Sequence, residues 1–208
     1  MTLRFVGCMN RKNIENETIK ERFLGTIFGQ AVGDALGLST EFMSKQEVDR
    51  FYPNGIEDYS QIVQDDHRRR WQRGDWTDDT DMMLCILDSF VACQKVDILD
   101  IARRFKKWMM NGGMGIGRHT YCLDDEKSMG YTLRTLGASL WAYWHATSYK
   151  EGILKIVLSG GDADTNAAVA GAILGAKFGI NPIPEEWKDG LLYASMLHNK
   201  VQDLYSMV

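Results

Sequence analysis

Proline and cysteine are both scarce in this chain of 208 residues, with three of the first and four of the second, Cys8, Cys85, Cys93 and Cys122. The cysteines form no CxxC pair and point to a reducing, cytoplasmic setting in which Cys85 and Cys93 are buried packing residues. Long apolar runs are missing as well, which excludes a transmembrane helix, and the start Met1-Thr2-Leu3-Arg4-Phe5 lacks the apolar stretch of a secretory signal. No period-two alternation marks a strand, and neither GxSxG nor GxxxxGK[ST] is present, which sets aside a hydrolase triad and a nucleotide loop. Charge of one sign is also lacking. Lys and Arg number 24 against 28 Asp and Glu, for a net charge of -4, so neither nucleic acid nor a membrane is the expected partner. The one basic run, His67-Arg68-Arg69-Arg70-Trp71-Gln72-Arg73, reads as a solvated loop face.

Glycine is abundant, at 20 residues, and many of these lie inside patterns that otherwise read as helix, where each costs about 1 kcal/mol relative to Ala. From Thr18 to Gly37 the residues Phe23, Leu24, Ile27, Phe28, Ala31, Val32, Ala35 and Leu36 recur in pairs every four positions, the period of one helix face. On a neighbouring stripe Gly25, Gly29, Gly33 and Gly37 form a ridge without side chains. Ala163, Ala167, Gly171, Gly175 and Gly179 repeat that device near the other end of the chain. Two smooth ridges predict two helices packed closely together, which would offset the cost of the glycines.

Further helices are readable between them. Ser44 and Glu47 make a capping box before Val48 and Phe51, and Pro53-Asn54-Gly55 ends that segment. Met82 to Val91, Ile98 to Met109 and Leu133 to Trp144 each carry an amphipathic pattern. Ser148 and Glu151 cap a shorter helix, and Pro184 opens the last one. Ile56 to Trp76 has no period and reads as a long loop of the kind that carries function. The expectation is one all-α domain over residues 1–208, with residues 1–16 a flexible N-terminal segment.

Two polar clusters stand directly before helices, Trp76-Thr77-Asp78-Asp79-Thr80-Asp81 and Gly160-Gly161-Asp162-Ala163-Asp164-Thr165. Thr and Asp are ordinary caps and first-turn anions, so either cluster alone reads first as capping. Capping, however, needs only one or two of these residues, and adjacent carboxylates repel one another unless a cation neutralises them. Carboxylate and hydroxyl oxygens without His or Cys suit Mg²⁺ and not Zn²⁺. The four charges of Asp78, Asp79, Asp162 and Asp164 would balance two divalent ions if the two helix starts meet in space.

Gly33-Asp34-Ala35-Leu36-Gly37 with Glu41, then Trp76-Thr77-Asp78-Asp79-Thr80, then Gly160-Gly161-Asp162-Ala163-Asp164-Thr165 with Gly171 and Gly175, resembles the ADP-ribosylglycohydrolase family in the order and type of all three motifs. The resemblance implies a single-domain orthogonal helical bundle with two Mg²⁺ ions, or Mn²⁺ in their place. It implies a hydrolase that releases ADP-ribose from an ADP-ribosylated protein side chain or a small ADP-ribosyl compound. By motif match, Thr77, Asp78, Asp79, Asp162, Asp164 and Thr165 would hold the metals. Glu41, Asp78 and Asp162 would be the catalytic carboxylates, with water activation assigned to Glu41 or to an Asp that bridges the metals. Asp34 shares the first motif and is placed with the substrate-binding residues. Gly115 and Gly117 resemble the family's glycine loop along the ligand's phosphates and ribose. The chemistry suits these residue types, because cleavage at the anomeric carbon builds oxocarbenium character that carboxylates stabilise.

The resemblance breaks in one place. Only Tyr121 to Gly130 separates the glycine loop from the next helix, where related enzymes place several helices together with a Gly-rich, Arg-containing motif and a His region. Three consequences stay open: a smaller ligand, a pocket completed by another subunit of an oligomer, or a catalytically silent relative that binds ADP-ribose or is structural. Tyr121, Trp141 and Trp144 are aromatic candidates for a replacement wall, although tryptophan at helical spacing reads first as core.

Overall fold

The computed structural model describes residues 11–113 and 129–206. Its helices are α1 (Arg11–Gly37), α2 (Lys45–Phe51), α3 (Asp78–Cys93), α4 (Ile98–Met110), α5 (Met129–His145), α6 (Tyr149–Val157), α7 (Ala163–Phe178), α8 (Glu185–Asp189) and α9 (Ala194–Tyr205). Single turns of 3-10 helix lie at Tyr59–Gln61 and Arg68–Arg70, and the described residues contain no strand. The all-α expectation is met. Helix α1 includes residues 11–16 of the segment expected to be flexible; residues 1–10 lie outside the described residues.

The two small-residue ridges lie against each other. A Cβ built on Gly29 would sit 2.3 Å from the carbonyl oxygen of Gly171, one on Gly33 2.1 Å from that of Ala167, and one on Gly175 1.8 Å from that of Gly25. Those separations are far inside van der Waals contact, so α1 and α7 touch backbone to backbone along their lengths. The seam is dry: Ala31, Val32, Ala35, Leu36, Ala167, Ala170 and Leu174 are buried. Tyr149 completes it by donating its hydroxyl to the carbonyl of Gly29 at 2.7 Å. Helices α5 and α6 flank α7, while α3 packs on α4 and reaches both α1 and α7.

The capping residues perform as their spacing implies. Ser44 accepts from the Glu47 N–H while Glu47 accepts from that of Ser44, and Ser148 accepts from the Glu151 N–H at 3.1 Å. Other expectations are corrected. The last helix is two, α8 and α9, parted at Gly190, where Leu192 donates its N–H to the carbonyl of Gly74 at 2.8 Å. Gly74 lies so close that a Cβ on it would meet the Gly190 oxygen at 2.0 Å. Trp141 and Trp144 are not core, being 42% and 68% exposed, and Cys85 and Cys93 are half-buried in α3.

The loop before α3 is anchored through most of its length. Ile56, Tyr59, Ile62, Trp71 and Trp76 are buried, and Tyr59 donates its hydroxyl to the carbonyl of Trp187 at 3.0 Å. Among the described residues no helix is long and apolar enough to cross a membrane.

Candidate active site

Closeness of α1 and α7 has a local consequence at their adjoining ends. A Cβ on Gly37 would lie 2.4 Å from the Cα of Asp164, so the glycine ridge delivers the first turn of α7 to the end of α1 that carries Asp34. Helix α3 arrives at the same point. Asp34 is fully buried, and its Oδ1 accepts from the N–H of Thr77 at 3.1 Å and the hydroxyl of Thr77 at 2.7 Å. Its Oδ2 accepts from the N–H of Thr80 at 3.0 Å and the hydroxyl of Thr80 at 2.6 Å. A carboxylate from another helix thereby takes the N–H that a capping side chain of α3 would normally satisfy.

That arrangement decides against capping as the whole explanation of the acidic clusters. Thr77 and Asp162 stand at the N-cap positions of α3 and α7, yet neither side chain makes a capping hydrogen bond. Thr77 gives its proton to Asp34 and Thr165 donates to Asp79, so each hydroxyl retains lone pairs for another partner. Asp34, Asp79 and Asp164 each bring a carboxylate oxygen within 4.8 Å of the other two. Burial pushes the carboxyl of Asp79 up to about 6; the Thr165 bond opposes this, and the charges of Asp162 and Glu41 add to it. Asp164 is raised too, by burial first and then by Glu41, Asp34, Asp79 and Asp162. Burial and Asp79 likewise raise Asp34, against the pull of the Thr80 and Thr77 hydroxyls and the Thr77 N–H.

Most of the carboxylates expected from the sequence therefore act on one another. Asp79 and Asp164 sit in the cluster, while Asp162 and Glu41 are near enough to shift them. Asp78 is half-buried in the first turn of α3. Asp34, expected along the ligand, uses both its oxygens to hold Thr77 and Thr80. Gly115 and Gly117 lie outside the described residues, as does Tyr121.

The donor set fits a hard divalent cation on its own chemistry. Asp164 Oδ1 is buried without a hydrogen-bond partner, an arrangement that an ionised carboxylate tolerates only where a cation meets it. Neighbouring carboxylates deepen that need, and the surrounding hydroxyls are oxygen ligands of the kind Mg²⁺ and Mn²⁺ take.

Glu41 reaches the cluster on the turn that follows α1, and the elements holding it were not legible in the sequence. Phe42 adopts φ 61° and donates its N–H to the carbonyl of Gly161 at 2.7 Å, while Gly161 donates back to Met43 at 2.9 Å. Gly160, at φ 71°, has no room for a side chain, since a Cβ would lie 2.3 Å from the Met43 oxygen. The two motif loops are therefore clipped together by their backbones.

Arg68 fixes the same turn from the other side. Only 3% exposed, it donates through Nε to the carbonyls of Leu38 at 2.9 Å and Ser39 at 2.8 Å, and through Nη2 to that of Glu41. Asp65 pairs with its Nη1. The basic run is thus not a uniform solvated face: Arg69 is exposed beside Asp66, Arg68 is buried, and His67 approaches Glu41 with Nε2 at 2.6 Å from Oε2. The sequence signal for this was an arginine run inside a long loop with large apolar anchors.

On the far side of Thr77 opens a cavity of about 440 Å³, walled by Trp71, Trp76, Trp108 and Tyr193 with Asp75 and Asp81. Asp81 braces it by accepting the indole N–H groups of Trp76 at 2.9 Å and Trp108 at 2.8 Å.

Comparison with known proteins gives the family. The profile of the ADP-ribosylglycohydrolase family matches residues 15–124 and 121–208, nearly the whole chain in two pieces. The chain is 21% identical to ADP-ribosylarginine hydrolase Tri1 of Serratia proteamaculans (strain 568), over 93% of this chain and 81% of that protein. It is 23% identical to ADP-ribosyl-[dinitrogen reductase] glycohydrolase of Rhodospirillum rubrum, over 82% of this chain and 90% of that protein. Those alignments run over 307 and 276 positions, so stretches of both relatives have no counterpart in 208 residues. A solved structure, an ADP-ribosylglycohydrolase-related protein complex, superimposes with a TM-score of 0.70 at 20% identity, over 92% of this chain and 99% of that one. With its three motifs joined across one glycine seam and its profile matched along almost all its length, the chain belongs to the ADP-ribosylglycohydrolase family of glycosyl hydrolases.

Proposed function

We propose that this protein is a Mg²⁺- or Mn²⁺-dependent hydrolase that cleaves the N- or O-glycosidic bond between ADP-ribose and a modified protein side chain or a small ADP-ribosyl compound, in the cytoplasm. The observation that carries the reading is the buried, unpartnered Asp164 oxygen inside a group of carboxylates gathered from α1, α3 and α7. Thr77, Asp78, Asp79, Asp162, Asp164 and Thr165 would hold the cations, and the cations, when bound, would neutralise these charges and orient the ribose hydroxyls. Asp34 holds the first turn of α3 in place from below.

Water is the nucleophile. Glu41 takes a proton from it as the oxygen bonds to the anomeric carbon and the bond from that carbon to the side-chain nitrogen or oxygen breaks; that proton then passes to the leaving nitrogen or oxygen, which returns Glu41 to its carboxylate form. Asp78 and Asp162 stabilise the positive charge that develops on the sugar. The Glu41 turn suits this task because Arg68 and the Gly161 backbone fix it, so the base meets the water without a search.

The test is release of free ADP-ribose from ADP-ribosyl-arginine and ADP-ribosyl-serine peptides with Mg²⁺, alongside thermal shifts with Mg²⁺, ADP-ribose and both. Turnover by the wild type that falls steeply, to a residual but measurable rate, in Glu41→Gln and in Asp164→Asn supports the reading. A wild type that shifts with neither ligand sinks it. Binding without turnover favours the silent ADP-ribose-binding relative, a reading supported by the stretches of both relatives that this chain lacks.

A further inference from the structure

We propose that His67 is a positioning residue for Glu41, its Nε2–H holding one carboxylate oxygen so that the base works through the other. The inference rests on the proposed hydrolase reading but goes beyond it, since His67 belongs to none of the three motifs.

The geometry carries it. His67 Nε2 lies 2.6 Å from Glu41 Oε2, with side chains only 22% and 10% exposed. A guanidinium of Arg70 contacts the other ring nitrogen, Nδ1. Arginine has donors only, so Nδ1 must accept, and the proton of the neutral ring is thereby assigned to Nε2, facing Glu41. Arg70 also donates through Nε to the His67 carbonyl at 2.9 Å, which ties it to the same turn.

Aromatic contacts fix the plane of the ring. Phe42 lies against it with centroids 5.1 Å apart and Trp71 edge-on at 5.2 Å, and Arg70 packs over the face of Trp71 at 4.7 Å. His67 itself begins a turn whose next residue, Arg68, grips the Glu41 backbone. One short segment thus fixes both the main chain and the carboxylate of the base. A glutamate on a turn has three rotatable side-chain bonds, and holding one oxygen removes most of that freedom before the substrate arrives.

Steady-state kinetics of the full chain on an ADP-ribosyl-arginine peptide with Mg²⁺ test this, using His67→Ala, His67→Gln, Glu41→Gln and the double variant Glu41→Gln/His67→Ala. His67→Ala should lower kcat by about tenfold to a hundredfold with KM nearly unchanged, as expected for lost orientation of a reacting group. Glutamine places an amide N–H where Nε2–H stands, so His67→Gln should recover most of that loss. In the Glu41→Gln background His67→Ala should cost nothing further, because the two act as one unit. The inference is overturned if wild-type turnover persists unchanged in His67→Ala, if the glutamine variant is as impaired as the alanine one, or if the losses multiply in the double variant. A wild type without turnover overturns the hydrolase reading itself, and this inference with it.

Discussion

The α1–α7 seam and the loop that wraps the end of α1 build the same site by opposite means. Along the seam close fit does most of the work: small residues at every fourth position let two backbones meet, a Cβ at Gly33 would fall 2.1 Å from a carbonyl oxygen, and the Tyr149 hydroxyl adds one hydrogen bond. In the loop, one buried guanidinium collects the carbonyls of Leu38, Ser39 and Glu41, and one imidazole meets the Glu41 carboxylate. The seam sets where the clustered carboxylates stand, and the loop sets where Glu41 stands. Shape fixes the first and hydrogen bonding the second, so the two should fail differently.

The largest effect is expected at the seam. Gly33→Ala forces a methyl into the backbone of α7 and should cost about 3 kcal/mol of stability, as overpacking of a tight contact does. Because the same displacement parts Asp34 from Asp164, urea unfolding with and without Mg²⁺ should show the stabilisation by the cation reduced as well. An undiminished Mg²⁺ effect would separate the seam from the site.

Next comes the loop. Arg68→Ala takes the guanidinium donor from the carbonyls of Leu38 and Glu41, while that of Ser39 keeps the Tyr52 hydroxyl, and should cost about 2 kcal/mol, a figure typical of buried groups left unpaired. Its distinguishing mark is that Mg²⁺ still binds, read by calorimetric titration, while turnover falls. Loss of both together would mean that the loop, too, positions the carboxylate cluster.

A pH series sharpens the contrast further. The carboxyl of Asp79 is pushed up to about 6, so the folded protein binds that proton more tightly than the unfolded chain does. Without divalent ions, stability should therefore rise as pH falls through about 6 toward the ordinary carboxylate range, and fall as pH rises; Asp34 and Asp164 act in the same direction. With Mg²⁺ the trend should reverse, because the cation favours ionised carboxylates. Urea midpoints across that range, measured in EDTA and in Mg²⁺, check it.

The smallest effect belongs to Arg69, whose exposed pair with Asp66 lies one residue from the buried Arg68. Arg69→Ala should change stability by less than about 0.5 kcal/mol and leave turnover alone, as surface ion pairs do. A larger loss in the same unfolding assay would mean that the run works as a unit.

How much was legible follows the same division. The periods of α1 and α7, the capping box at Ser44, the cap at Ser148 and the two acidic helix starts could be read directly, because each depends on residues within a few positions of one another. Asp34 showed only as part of a motif. Its use as a cap for α3, through Thr77 and Thr80 more than forty residues away, has no local signature. The break at Gly190 was equally hidden, since it depends on Gly74 pressing from a distant loop.

By itself, then, the sequence determined which faces are smooth enough to meet and which helix starts carry the carboxylates, because side-chain volume and helical period are local properties. Only the tertiary structure decided that Asp79 and Asp164 share one space with Asp34, that Asp34 is spent on holding α3, and that His67 and Arg68 turn inward to meet Glu41. The reason is physical: a carboxylate or a guanidinium has the same identity wherever it stands, and its work is set by the partners and the degree of burial that only the folded chain provides.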